Sequence, residues 1–204
     1  TSRNQGTLSE AASSMNVSQT GSIVWMDAAE SYFLQAEAKL RLGLGDKSVQ
    51  EYYEEGVKTS FSSKGATGAE TYLADDTNVP SASYVDPARG TNTNVSAMVS
   101  KLTVKWDDSA SEENKLERIM VQKWIALFPD GIEAWSEMRR TGYPGIVTIN
   151  TNASGGEVKS GELISRLKFP TTEYSDNSAN TQAAVSLLNG QDAAGTRLWW
   201  DVKR

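Results

Sequence analysis

The stretch Ser111–Gly145, SEENKLERIMVQKWIALFPDGIEAWSEMRRTGYPG, constrains the fold more than any other. It reads as two helices with a sharp break between them. Ser111 is placed to cap the first, and Glu112 and Glu113 put negative charge where the helix dipole favours it. Leu116, Ile119, Met120, Lys123 (through its stem), Trp124 and Leu127 recur on one face at helical spacing. Pro129 stops this helix. Asp130, with Glu133 three positions on, has capping-box spacing and starts a second helix edged by Ile132, Trp135 and Met138. Arg139 and Arg140 suit the last turn, and Gly142 and Pro144 end the element. Both indoles are expected in a core shared with the earlier helix. At least one of the two arginines is expected to bond a backbone carbonyl or a carboxylate, with Glu173 and Asp201 as candidate acids.

Upstream, residues 1–21 read as a Ser/Thr/Asn/Gly-rich loop. From Ser22, Trp25, Ala28, Ala29, Tyr32, Phe33, Ala36 and Leu40 recur at helical spacing up to Leu42, and Gly43 and Gly45 are stop signals. Asp46 is the expected cap of the next helix, striped by Val49, Tyr53, Val57 and Phe61. Residues 22–62 thus form one helix-turn-helix unit of tetratricopeptide size, and such units need stacked neighbours to bury both faces. Residues 63–110 are loop-rich, with a short helical turn at GAETYLAD and a strand-like alternation of Leu102, Val104 and Trp106. Residues 111–141 are the helical pair, and 142–204 an irregular C-terminal segment. There IVTIN and LISRLKFP are expected to pair as a ribbon, and a short helix covers 177–188 up to Asn189-Gly190. The length of 204 residues makes one domain the default.

Three segments resemble the SusD/RagB superfamily of outer-membrane lipoproteins of Bacteroidetes: YFLQAEAKLRLGLG, QKWIALFPDGIEAWSEMRRTGYPG and RLKFPTTEYSDNSANTQAAVSLLNGQDAAGTRLWWD. They stand in the family's order, and full members are longer, so the resemblance implies a C-terminal portion. It implies a mainly α fold: tetratricopeptide-like hairpins of a SusD-like α/α superhelix, with long loops and a few short β-strands. It also implies a surface-exposed protein of the outer membrane, its signal sequence and lipid anchor upstream of this chain. Such a protein captures a nutrient glycan for a SusC-like TonB-dependent transporter.

Composition narrows the chemistry. With 26 acidic against 20 basic residues, the charge of −6 argues against a nucleic-acid binder. Cysteine and histidine are absent, which removes thiolate nucleophiles, Ser-His-Asp machinery and the common zinc sites. The pairs Asp107-Asp108 and Glu112-Glu113 read as a turn and a helix start rather than as a glycosidase pair. Asp75-Asp76 and Asp176-Asn177 read as turns and lack the ligand order of a calcium loop. No catalytic residue, metal site or cofactor is therefore expected, and the chain reads as no enzyme.

Sugars stack their apolar faces on aromatic rings. Trp25, Trp124 and Trp135 lie on helix faces and read as core, and at least one of Trp199 and Trp200 is expected to pack inward. The ligand candidates left are Trp106, Tyr84 and Tyr72, with Arg89 as a polar partner, all within residues 64–110. The alternatives are a helical-repeat adaptor for a protein or peptide, and a family member whose ligand is a peptide.

Overall fold

The computed structural model describes residues 24–80, 83–85, 92–94, 100–145, 153–159 and 162–201. Among these, helices dominate: α1 (Ala28–Leu42), α2 (Val49–Ser63), α3 (Ala69–Leu73), α4 (Glu112–Ala126), α5 (Gly131–Thr141), α6 (Thr171–Asp176) and α7 (Ser178–Ser186). Two short strands, β1 (Ser83–Val85) and β2 (Asn92–Asn94), pair antiparallel with Tyr84 opposite Thr93. The loop expected at 1–21 lies outside the described residues. Where length suggested one domain, packing separates two compact units. The first holds the described residues up to Ala134 with Pro144 and Gly145, and the second holds Trp135–Tyr143 and the described residues from 153 on.

In the first unit, caps set the helix ends. Asp27 accepts the Ala29 N–H at 2.9 Å, so α1 begins there rather than at Ser22, and Trp25 lies outside it. Gly43, at φ 70°, closes α1 with its N–H on the Lys39 carbonyl. Ser48, not Asp46, caps α2. It forms a capping box with Glu51, while Asp46 accepts the Tyr52 hydroxyl at 2.6 Å. The α1–α2 hairpin packs Ala29, Phe33 and Ala36 against Tyr53, Gly56 and Val57. A methyl at Gly56 would sit 2.7 Å from the Phe33 ring. Only hydrogen lets the two helices approach so closely.

Helix α4 is capped by Ser111, whose Oγ accepts the Asn114 N–H, and it lies against α1. Leu116, Ile119, Met120 and Lys123 are buried there, and the Lys123 ammonium is 3.4 Å from Glu30 of α1. Arg118 and Gln122 are buried as well. At about 100° per residue they fall on the side of the helix roughly opposite Trp124. Burial is thus centred near Ile119, and Trp124 is left at the edge, 38% exposed. The expectation of a deeply buried Trp124 is corrected for this reason.

The Phe128-Pro129 peptide is cis. Asp130 accepts the Glu133 N–H as expected, but its own N–H goes to the Leu127 carbonyl, so the box is half formed. Leu102, Val104 and Trp106 form no strand. The Thr103 carbonyl accepts from Arg118 Nε (3.0 Å), the Val104 carbonyl accepts from the Tyr53 hydroxyl (2.7 Å), and the Lys105 N–H reaches the Asp75 carbonyl (3.0 Å). Side chains and a loop take the place of a ladder.

In the second unit Trp135 is 39% exposed, against expectation, with the Arg139 guanidinium 4.6 Å from its ring centre. Arg139 donates to the Ser165 carbonyl and Arg140 to Glu137, so the acid met by Arg140 is a helical neighbour rather than Glu173 or Asp201. Trp199 and Trp200 are exposed too. Among the described residues, 163–170 form no strand, and the N–H groups of Ser165 and Arg166 both donate to the Ala194 carbonyl; IVTIN lies outside the described residues. Asp192 organises this segment. It accepts from Arg166, from the Tyr174 hydroxyl (2.8 Å) and from the Phe169 N–H (3.2 Å). Burial pushes the Asp192 carboxyl up, but these donors outweigh it and hold it below the usual carboxylate value.

Two outcomes follow from this packing. Gly56→Ala should cost about 1–3 kcal/mol of unfolding free energy, read by denaturant titration, because the added methyl overpacks the Phe33 contact. Asp192 contributes stability that is present above the unfolded carboxylate pKa of about 3.9 and lost as pH falls through its lower folded value. The stability gap between wild type and Asp192→Asn should therefore close below about pH 4. A pH-independent gap would rule out the ionised carboxylate as the organiser.

Candidate functional site

The first unit contains a cleft of about 240 Å³ between the 72–80 segment, the 100–104 segment and one side of α4. Its formation follows from local chemistry. Asp75 folds the 75–78 turn on itself, accepting the N–H groups of Thr77 (3.0 Å) and Asn78 (2.9 Å) and both side chains. Those bonds, with the Asn78 backbone first, hold its carboxyl at about 2, so it stays ionised at neutral pH. Lys105 pins the two loop segments together, its ammonium 2.9 Å from Asp76. The same loop brings Val79 and Pro80 to the cleft, opposite Leu102, Val121 and Ile125.

Tyr72 and Gln122 form the inner wall. The tyrosine hydroxyl and the amide are within 3.0–3.1 Å, and the Tyr72 ring lies against Phe61 with centres 5.3 Å apart. A second cavity of about 190 Å³, lined by Phe33, Val57 and Phe61, shares Tyr72, Gln122 and Ile125 with the first. The hydrogen-bonded pair is therefore a partition between two largely apolar spaces. Ser100 is buried, and its Oγ accepts the Leu102 N–H at 3.2 Å.

Of the ligand candidates read from sequence, Tyr72 lines this cleft. Tyr84 lies on β1, where the backbone alone is described, and Arg89 lies outside the described residues. Trp106 is placed differently from expectation. It is 8% exposed, its ring 5.2 Å from Tyr53 and 6.0 Å from the Arg118 guanidinium, and its indole N–H donates to Asp108 at 2.8 Å. With neighbours on the ring and its N–H satisfied, it serves the core and offers no platform. The residue that sequence reasoning missed is Arg118. The signal was a cation in the middle of a helix, followed directly by Ile119 and Met120 and far from either dipole end.

Among the described residues there is no cluster of three or more acidic groups able to hold a metal ion, and no helix is long and apolar enough to cross a membrane. The cleft offers apolar walls and a few fixed polar groups, an arrangement for binding a ligand.

A helical hairpin packed on a third helix, with a loop-walled cleft beside it, is the arrangement of the first unit. The family model described as SusD-like, Susd and RagB outer membrane lipoprotein, matches residues 1–201. The chain therefore belongs to the SusD-like family. It is similar to a chitin-binding SusD homologue from Flavobacterium johnsoniae, with 44% identity and a TM-score of 0.78 over 89% of this chain and 37% of that one. A SusD homologue from Bacteroides uniformis shares 44% identity, with a TM-score of 0.81 over 92% of this chain and 38% of that one. One from Bacteroides ovatus shares 37%, with a TM-score of 0.82 over 93% of this chain and 40% of that one. The chain thus spans well under half the length of these relatives. No curated protein matches it.

The placement of Trp106 gives a direct expectation. Trp106→Ala should lower stability by about 3–5 kcal/mol, as for a buried aromatic, when followed by chemical denaturation. Unchanged stability with weakened ligand binding would return Trp106 to the site.

Proposed function

We propose that this chain is a C-terminal portion of a cell-surface protein that binds a nutrient glycan and presents it to a SusC-like TonB-dependent transporter. The observation that carries this reading is family membership over residues 1–201. A solved relative at 44% identity that is described as chitin-binding supports a glycan as the ligand class. The work is capture and release, with no covalent step. A lipid anchor upstream of this chain would hold the protein at the outer face of the outer membrane, as the family's description suggests.

On this reading any glycan contact made by this portion centres on residues 64–110, at the cleft walled by Tyr72, with Tyr84 and Arg89 as further candidates. The Tyr72 ring supplies a flat apolar surface, and its hydroxyl is already oriented by Gln122. A ring fixed in this way loses little freedom when a sugar stacks on it.

Calorimetric titration of the intact protein with oligosaccharides is the test. Tyr72→Ala, Tyr84→Ala and Arg89→Ala are compared singly with wild type. An aromatic–ring stacking contact is worth about 1–3 kcal/mol, by analogy with bases, so loss of a contacting ring should weaken binding roughly ten- to a hundred-fold. Wild-type affinity in all three folded variants would move the site out of this segment. Binding of peptides with no affinity for glycans would favour a peptide ligand instead.

A further inference from the structure

We propose that Asn189 is a site of self-modification, at which the backbone nitrogen of Gly190 attacks the side-chain amide and leaves aspartate or isoaspartate. The Gly190 nitrogen gives its proton to water or hydroxide and bonds to Asn189 Cγ. The Cγ–Nδ2 bond breaks, and ammonia leaves. The five-membered succinimide so formed then takes up one water. Addition at Cγ frees the Gly190 nitrogen from the side chain and gives aspartate. Addition at the main-chain carbonyl leaves Gly190 attached through Cγ and gives isoaspartate. Water is the co-reactant, and no redox change occurs.

The attack needs an uncrowded nitrogen, an N–H not held by an acceptor, and a stretch of chain free to bend. Asn189 is the one asparagine of the chain that glycine follows, so no Cβ crowds the attacking atom. Both residues are exposed. The Gly190 N–H has no acceptor among the described residues, and neither has the Asn189 amide. Bonds fasten the chain on either side. Before it, the N–H groups of Leu187 and Leu188 donate to the Ala184 and Val185 carbonyls at 3.1 and 2.9 Å. After it, the Gln191 carbonyl accepts the Ala193 N–H at 2.8 Å and the Thr196 hydroxyl at 2.6 Å. Residues 189–190 are the unfastened link between them. Other asparagines lack these conditions. After Asn114 and Asn180, the next nitrogens are held in helices, Lys115 N–H on the Ser111 carbonyl and Thr181 N–H on the Asn177 carbonyl, both at 3.0 Å. Asn78 is followed by a β-branched valine, and its own amide donates to Asp75.

The product matters because of where it falls. Isoaspartate routes the main chain through Cβ and Cγ, lengthens it by one atom, and adds a carboxylate where the side chain was neutral. This happens just ahead of Asp192, whose bonds to Arg166, Tyr174 and the Phe169 N–H hold the C-terminal segment together.

The test holds the intact folded protein at mildly alkaline pH in water labelled with heavy oxygen, then separates it by charge and maps its peptides by mass. An acidic form one charge beyond −6 should accumulate, with both isoaspartate and aspartate at position 189 carrying the heavy oxygen. Asn189 should be lost at least about ten-fold faster than Asn114 or Asn180, a barrier difference of about 1.4 kcal/mol. Asn189→Gln should remove the acidic form, because its longer side chain would have to close a six-membered ring. Asn189→Asp supplies the charge standard. Absence of the acidic form overturns the proposal, as does an acidic form that persists in Asn189→Gln. Aspartate without isoaspartate also overturns it, since direct hydrolysis of the side chain would then have occurred without Gly190.

Discussion

Tyr53 joins the parts of the first unit. Its ring meets Phe33 of α1 edge-on at 6.4 Å and Trp106 at 5.2 Å, and its hydroxyl donates to the Val104 carbonyl. Burial pushes that phenol well above its ordinary pKa, so it stays a donor at any pH the fold survives. Without this bond the Val104 carbonyl would be left short of a partner where no sheet exists to supply one. The 100–106 segment is one wall of the cleft, so the hairpin core and the candidate site share one tyrosine. Trp106 extends the chain of contacts to Arg118, and Arg118 returns it to the Thr103 carbonyl. The loop is held on both sides by donors reaching out of helices.

Helix α4 is buried on more than one side, and its polar residues show why. Lys123, with 1% of its side chain exposed, pairs with Glu30, which fixes where α4 lies along α1. A buried pair of this kind adds little net stability over an apolar pair, but removing one partner alone leaves an uncompensated charge. Such a pair selects one register rather than deepening the well. Arg118 and Gln122, one turn apart, do for the loop side what Lys123 does for the hairpin side. The helix is therefore orientated by three polar residues, while Leu116, Ile119 and Met120 supply the burial.

Local signals were the legible part of the sequence. Ser111, Asp130 and Gly43 act at helix ends through bonds within four residues of themselves, so their meaning needs no tertiary context. The tryptophans inverted the expectation. Trp25, Trp124 and Trp135, read as core, are exposed, and Trp106, read as a strand residue and kept as a ligand candidate, is the buried one. Periodicity marks one face of a helix, but Arg118 and Gln122 widened the buried arc of α4 away from Trp124. The strand expected over Leu102–Trp106 failed for a related reason. Alternation describes side chains, whereas a strand depends on where its carbonyls go, and here they go to Tyr53 and Arg118, far off in sequence. Of the candidate site, Tyr72 was visible as an aromatic in a loop-rich segment. Arg118 was not, because its significance lies in a Thr103 carbonyl that only folding brings near.

The acidic excess has a structural explanation of the same kind. A loop-rich chain has many backbone N–H groups that no helix or ladder satisfies. Asp27, Glu51, Asp75, Asp107, Asp130, Glu157 and Asp192 each accept such an N–H, at Ala29, Ser48, Asn78, Ser109, Glu133, Ala194 and Phe169 in turn. An ionised carboxylate has about four acceptor sites and no donor, so one side chain can close a turn by itself. Asp75 does this for the cleft and Asp192 for the C-terminal segment. Where donors converge in this way, the carboxyl of Asp75, Asp107, Glu157 or Asp192 is held below its ordinary pKa. Seven of the 26 acidic side chains are thus committed to shaping turns and helix starts.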